Sequence, residues 1–205
     1  MRFVKLFAVV VVILSLNSCA SSYKMIEPSS LNYLSVKEND GVKFEYKYNL
    51  LNKKYSKKED KKSLKIAAVK ITNNSGRDLH FGNDISITYE NGNLINIVDN
   101  DYAFKTLKQS TATYLLYLLL TPTSIYRTET TDGFTETETI FPIGLILGPG
   151  IAGGNMLIAG SANKKLKKEL MEYDLSDKII KNGETKVGLI GIQSTSYDAL
   201  TFRID

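Results

Sequence analysis

The stretch VKFEYKY, residues 42–48, decides the class of fold, because apolar and polar side chains alternate along it without a break. An alternation with a period of two is typical of a strand that buries one face and leaves the other in water. Comparable strands are predicted at residues 64–72, 85–89, 187–192 and 199–204. Short strands separated by turns predict a mostly β chain of the α+β class, arranged as an immunoglobulin-like β-sandwich.

Turn residues between these segments predict how the strands connect. Asn91-Gly92 follows residues 85–89 and predicts a hairpin with residues 94–98 as the partner strand, since both turn residues tolerate positive φ. Asn182-Gly183 marks another turn. Residues 52–63 contain six lysines, which indicates either a solvated hairpin loop or a patch for anionic lipid headgroups.

A hydrophobic insertion, residues 102–172, separates the two groups of strands. Residues 114–120 are wholly apolar and predict a buried helix, and residues 140–163 carry no charge. Between them, residues 126–140 alternate threonine and acid around Asp132-Gly133, which predicts a second hairpin. The insertion either packs on the sandwich or contacts a membrane or partner; Pro149 and several glycines disfavour a membrane-spanning helix.

Three sets of residues in the insertion are candidate contact sites. A two-residue turn at Asp132-Gly133 would place Glu129 opposite Glu136 and Arg127 opposite Glu138, which suggests contact with a cation or a basic partner. Gly144 and Gly148, spaced as GxxxG, would allow close helix approach, either inside a packed insertion or in contact with a membrane or partner. A helix over residues 163–171 would present a basic side that includes Lys164 and Lys165, either to water or to headgroups.

The N-terminus has the order of a secretory leader. Arg2 and Lys5 precede the apolar residues 6–16, a run too short to cross a bilayer comfortably. The following Leu-Asn-Ser-Cys, residues 16–19, resembles a lipobox. The resemblance implies cleavage before Cys19 and lipidation of that residue, with palmitate among the acyl groups. We therefore expect a signal peptide at residues 1–18, a lipidated tether at residues 19–30 and a single domain at residues 31–205.

Composition narrows the classes of function. Cys19 is the only cysteine, so the folded domain contains no internal disulfide. The net charge of +4 falls to +2 when Arg2 and Lys5 leave with the leader, a balance that does not suggest a nucleic-acid partner. His80 is the only histidine, which argues against a histidine metal site or a catalytic triad. A G-x-G-x-x-G match at residues 148–153 lacks the βαβ context that a dinucleotide site needs. Together, these observations predict no cofactor, no metal and no catalytic residues.

The segments VKITNNSGRDLHF, ISITYENGN and NGETKVGLIGI…ALTFRI resemble strand segments of Bacteroidetes-type membrane lipoproteins with an immunoglobulin-like core. The resemblance covers roughly residues 34–98 and 173–205. With Ala20 after the modified cysteine, it implies an anchor in a bacterial outer membrane, facing the periplasm rather than the cell surface. We expect a non-enzymatic envelope lipoprotein that contacts an envelope protein partner or the membrane through the insertion. A purely structural lipoprotein is the alternative, and a hydrolase is a remote one.

Overall fold

The computed structural model describes residues 19–205, so the predicted leader, residues 1–18, lies outside the described residues. The described chain divides into two compact units. Unit 1 contains residues 19–22 and 109–162, and unit 2 contains residues 23–108 and 163–205. The unit formed by the insertion is therefore narrower than the predicted residues 102–172, and it includes the four residues that begin at Cys19.

Unit 2 contains nine strands, all in antiparallel pairs. They are β1 (Ser35–Asn39), β2 (Val42–Lys47), β3 (Leu64–Asn73), β4 (Leu79–His80), β5 (Ile85–Tyr89), β6 (Ile97–Val98), β9 (Ile179–Ile180), β10 (Thr185–Gln193) and β11 (Leu200–Ile204). A five-stranded sheet has the order β1-β2-β3-β10-β6, while β5 pairs with β11 and β4 pairs with β9. The predicted strands are confirmed, and the class is a mixed α+β fold with several antiparallel sheets.

The core of unit 2 explains the alternating sequence. Phe44, Val69 and Ile71 from the large sheet belong to one buried cluster with side chains of β5 and β11, such as Ile87 and Phe202. The other face of β3 is buried as well, where helices α1 (Lys53–Lys62) and α2 (Asn100–Leu107) contact β3 and β10. Burial on both faces accounts for the broken alternation of residues 64–72.

Two local predictions in unit 2 are wrong. The lysine-rich residues 52–63 form helix α1 rather than a loop, because Tyr55 and Glu59, one helical turn apart, are buried while most lysines face water. The Asn91-Gly92 turn forms, with Gly92 at φ 83°. However, the strand that pairs with β5 is β11, and residues 94–98 contribute one bridge at Leu94 before β6 joins β10. A distant strand thus displaces the local hairpin partner.

Unit 1 consists of a 3-10 helix η2 (Ala112–Leu120), a hairpin of β7 (Ile125–Thr131) and β8 (Phe134–Phe141), and the first part of helix α3 (Gly144–Glu172). The residues of α3 from Asn163 onward belong to unit 2. The predicted hairpin is confirmed, since Asp132 and Gly133 both have positive φ, as a two-residue type I′ turn requires. Its register pairs Glu129 with Glu136 and Arg127 with Glu138.

Two glycines allow η2 and α3 to approach closely. A Cβ atom at Gly144 would lie 2.1 Å from the carbonyl oxygen of Leu120, and one at Gly148 would lie 2.6 Å from Oγ1 of Thr121. Both glycines are buried. The structure therefore uses both glycines for packing inside unit 1, and their contact with a membrane or a partner stays a prediction.

The predicted burial of residues 114–120 is also wrong in part. Only Tyr114 and Tyr117 of η2 are buried, in a small cluster with Ala152 and Ala159 of α3. The leucines between these tyrosines are exposed. A single neighbouring helix covers one side of η2, so its uniformly apolar sequence leaves the remaining sides in contact with solvent.

Candidate lipid-contact surface

The residues that follow Cys19 are held by two buried polar side chains of unit 1. The backbone N–H of Ala20 donates to Oδ1 of Asn155 at 2.5 Å. The backbone N–H of Ser21 donates to Oε1 of Gln109 at 2.9 Å, and Nε2 of Gln109 donates to the carbonyl oxygen of Ser21 at 2.7 Å. Cys19 is itself exposed. Its position is therefore set by three hydrogen bonds made by the next two residues.

Cys19 also borders an open cavity of about 430 Å³. The walls are mostly apolar or small and come from residues 19 and 20, from η2 and from α3; they include Ala20, Tyr117, Gly150, Ile151, Gly154 and Ile158. Glycines at two successive turns of α3 keep the cavity wide, because no Cβ projects from them. A hydrocarbon chain attached to the sulfur of Cys19 would meet this apolar wall directly.

Exposed leucine and isoleucine side chains extend over both helical segments of unit 1. Leu119 is 75% exposed and Leu157 is 77% exposed. The other exposed members are Leu115, Leu116, Leu118, Leu145, Ile146, Leu147 and Ile158. Neither η2 nor the part of α3 in unit 1 contains a charged residue. A large contiguous apolar patch on the surface of a monomer often marks an interaction site, which makes these side chains candidates for contact with an apolar phase or partner.

Helix α3 is the one helix of the described residues that is long and apolar enough to cross a membrane by length and composition. Only 28% of its most apolar window is buried. Its last residues are different in character, since Leu166, Glu169 and Leu170 are fully buried in unit 2. The apolar part available for contact is therefore the part that belongs to unit 1.

The buried carboxylate of Glu169 in unit 2 holds the residues that follow Ser22. Glu169 accepts hydrogen bonds from the hydroxyl of Tyr23 at 2.6 Å and from the backbone N–H groups of Ile26 and Glu27 at 2.8 and 2.7 Å. Burial, reinforced by the bond to Glu169, raises the pKa of Tyr23 far above its usual range. Residues 20 and 21 are thus held within unit 1 and residues 23, 26 and 27 within unit 2, while the lipidated tether at residues 19–30 stays a prediction.

The remaining predicted contact residues are on the surface. Glu129, Glu136 and Glu138 are exposed on the hairpin, where Arg127 forms an ion pair with Glu129. No group of acidic, histidine or cysteine side chains suited to a metal occurs among residues 19–205. Lys164 and Lys165 are exposed on α3. Their contacts with a cation, a membrane or a partner stay predictions.

Two further titratable residues attract attention because they are partly or fully buried. His80 lies in β4, half-buried, with no hydrogen-bond partner for Nδ1. Glu59 of α1 accepts a hydrogen bond from the backbone N–H of Ile66 at 2.7 Å, while its Oε2 has no partner. Burial raises the pKa of Glu59 to about 7, against the lowering effects of that bond and of Lys65.

Sequence reasoning missed the side chains that fix the N-terminal segment, namely Gln109, Asn155 and Glu169. Asn155 carries a visible signal, because it is the one amide within the charge-free residues 140–162. Gln109 and Glu169 stand in ordinary polar surroundings, and only their distant partners distinguish them. Comparison with known proteins adds no relative: no family model, no curated protein and no solved structure matches this chain.

Proposed function

We propose that this chain is a non-enzymatic, lipid-anchored protein of the cell envelope whose unit 1 contacts the acyl layer of its membrane. The carrying observation is the position of Cys19, which borders an apolar cavity among exposed leucine and isoleucine side chains on uncharged helices. Acyl groups on its sulfur and the apolar surface of unit 1 would enter the same leaflet. In this proposal, unit 1 is the membrane-contact unit and unit 2 is the body in water.

The energetics favour a combined anchor. Stable anchoring takes two signals, which two acyl groups can already supply, and apolar protein surface in the same leaflet adds to them. Moving one exposed leucine or isoleucine side chain into hydrocarbon contributes about 1.5–3 kcal/mol. Leu119 and Leu157 are among the most exposed apolar side chains of unit 1, so the protein itself can add to the acyl anchor.

We also propose a fold for unit 2 and a membrane location for the protein. The five-stranded sheet and the β5–β11 and β4–β9 pairs share one core, which supports an immunoglobulin-like sandwich for unit 2. Ala20, the residue after the modified cysteine, supports an anchor in the outer membrane with the protein on the periplasmic side. A purely structural role with the insertion as core is the less favoured alternative, because the leucines of unit 1 remain exposed.

A single tryptophan can test the lipid contact directly, because the chain contains none. The lipidated protein carrying Leu157→Trp is placed in phospholipid vesicles, with Leu94→Trp as the matched control in unit 2. Both leucines are highly exposed, at 77% and 85%. We expect blue-shifted emission and quenching by lipids with brominated acyl chains at position 157, and water-like, unquenched emission at position 94.

Three outcomes would contradict parts of the proposal. Equal, water-like emission at positions 157 and 94 would refute lipid contact by unit 1. Blue-shifted emission at position 157 without bromine quenching would indicate a protein contact instead. Mass spectrometry of the membrane-extracted protein should show Cys19 with acyl groups and no leader; an unmodified Cys19 behind an intact leader would refute the anchor.

A further inference from the structure

Lysines from three helices of unit 2 converge on one surface, although the overall net charge of the chain is low. We call this the lysine surface and define it by the seven lysines that contacts or charge effects link together. They are Lys54, Lys58, Lys61 and Lys62 of α1, Lys105 of α2, Lys108 directly after α2, and Lys167 of α3.

Side-chain contacts hold the three helices' lysines near one another. Nζ of Lys58 donates to the carbonyl oxygen of Lys108, which joins α1 to the end of α2. The ring of Phe104 lies between two ammonium groups, 5.9 Å from Nζ of Lys108 and 5.4 Å from Nζ of Lys167. One aromatic ring with two cations places α2 and α3 on the same positive surface.

The charges of these lysines shift the pKa of two nearby groups. Burial, together with the charges of Lys62, Lys108, Lys54 and Lys61, lowers the pKa of Lys58. The pKa of Asp101 is lowered by its hydrogen bond to Lys105 and by the charges of Lys105, Lys167 and Lys108. Asp101 pairs with Lys105 and neutralises one cation. The lysine surface as a whole still concentrates positive charge, which favours an anionic partner.

We propose that the lysine surface binds the anionic headgroups of the membrane to which the protein is anchored. All seven cations are lysines, and none is an arginine. A lysine ammonium is a mobile point charge, whereas arginine gives fixed, bidentate recognition. A surface of mobile charges suits a fluid layer of headgroups better than the fixed carboxylates of a folded protein. This inference rests on the proposed function, which anchors the protein to a bilayer.

The test compares affinities for two kinds of vesicle. The chain from residue 19 with Cys19→Ala, which carries no acyl groups, is mixed with vesicles of phosphatidylcholine or of an equimolar phosphatidylcholine–phosphatidylglycerol mixture. The readout is the ratio of the two affinities, because apolar contact by unit 1 contributes to both. We expect at least about tenfold tighter binding to the anionic vesicles, since each lysine near such a surface contributes about 1 kcal/mol.

A charge-reversal triple tests the surface itself. Lys61→Glu/Lys108→Glu/Lys167→Glu changes exposed lysines at α1, after α2 and on α3. Lys178→Glu/Lys181→Glu/Arg203→Glu, also at exposed positions of unit 2, makes the same change in net charge elsewhere. We expect the first triple to abolish the preference for anionic vesicles and the second to keep most of it. Circular dichroism and urea unfolding check that both triples are folded.

The outcomes separate this inference from the proposed function. Equal loss of preference in both triples, or no preference in the parent chain, would overturn the lysine surface while leaving the tryptophan test of unit 1 unaffected. Tighter binding of soluble polyglutamate than of the anionic vesicles would identify an acidic protein as the partner and would also overturn it. Raising the salt to about 1 M should remove the preference, because charges are then screened beyond about 3 Å.

Discussion

The two units treat the same kind of side chain in opposite ways. Leu166 and Leu170 are fully buried in unit 2, whereas Leu145 and Leu157, on the same helix α3, are 58% and 77% exposed in unit 1. Unit 2 covers both faces of its large sheet and carries lysines on its outer side. The helical segments of unit 1 carry no charge and cover only a few side chains. This difference is the one that the proposed contact of unit 1 with an acyl layer requires.

The largest expected contrast between the units comes from removing one phenylalanine in each. Phe44 is fully buried, with its ring centroid 5.6 Å from that of Phe202, and Phe134 on the hairpin is 79% exposed. We expect Phe44→Ala to lower the free energy of unfolding by about 3–5 kcal/mol. Phe134→Ala should change it by less than about 0.5 kcal/mol.

Urea unfolding in the absence of membranes measures both values for the chain from residue 19. A comparable loss in the two variants would show that the hairpin is a structural part of the core, and the contrast between the units would fail. The slope of the transition should be the same in both variants, which verifies that unfolding remains comparable.

A second contrast concerns pH, through Glu59 in unit 2. Its folded pKa of about 7 lies above the ordinary value of 4.5. Between these two pH values the unfolded chain releases the proton and the folded chain retains it, so the free energy of unfolding falls as pH rises. This shift corresponds to a loss of about 3 kcal/mol, complete above pH 7. Glu59→Gln should remove that loss and can keep the bond from the Ile66 N–H.

The measurement is urea unfolding of the parent and Glu59→Gln chains at pH 4.5 and pH 7.5. Glu38→Gln, at an exposed position of β1, is the matched control and should keep the pH dependence of the parent. An identical dependence in all three chains would mean that Glu59 ionises normally in the folded state, and the account of its burial would be wrong.

The smallest expected effect concerns the hydrogen bonds by which Glu169 holds the backbone of Ile26 and Glu27. Glu169→Gln keeps an acceptor for Ile26 and Glu27 but replaces charge-assisted bonds with neutral ones, a loss of about 1–2 kcal/mol. Local opening should rise by roughly 5- to 30-fold. Trypsin cleavage after Lys24, which is exposed beside the buried Tyr23, reports this opening.

The cleavage rate is measured on the chain from residue 19 in the absence of membranes, by mass spectrometry of the fragments. Glu172→Gln, an exposed glutamate on the same helix, should leave the cleavage rate unchanged. Equal cleavage of the parent and the Glu169→Gln chain would show that the segment opens without breaking its bonds to Glu169.

The sequence predicts those features that neighbouring residues determine. The alternating strands and the Asp132-Gly133 hairpin, including its Glu129–Glu136 register, depend on local period and turn chemistry. The sequence does not indicate helix α1, because only two of its residues, one turn apart, are buried and six of the others are lysines. The pairing of β5 with β11 depends on a strand more than a hundred residues away, which no local pattern near Asn91 can indicate.

The candidate site divides in the same way. Lipidation of Cys19 stays a prediction from a local motif, and the structure places this residue at the rim of the cavity in unit 1. The side chains that hold its neighbours, Gln109 and Asn155, are distant in sequence and meet residues 20 and 21 only in the folded chain. The exposure of the leucines near Leu119 was also unpredictable, since an apolar run has the same composition whether or not something covers it.

The bonds to Ala20 and Ser21 have a consequence for rotation. An acyl group joined to the protein by a flexible linker leaves that protein to tumble above the bilayer. Here Asn155 and Gln109 fix the backbone directly after Cys19. With acyl groups on Cys19, turning unit 1 about its attachment point would break these hydrogen bonds. Cys19 would therefore determine the orientation of unit 1 in the leaflet as well as its attachment.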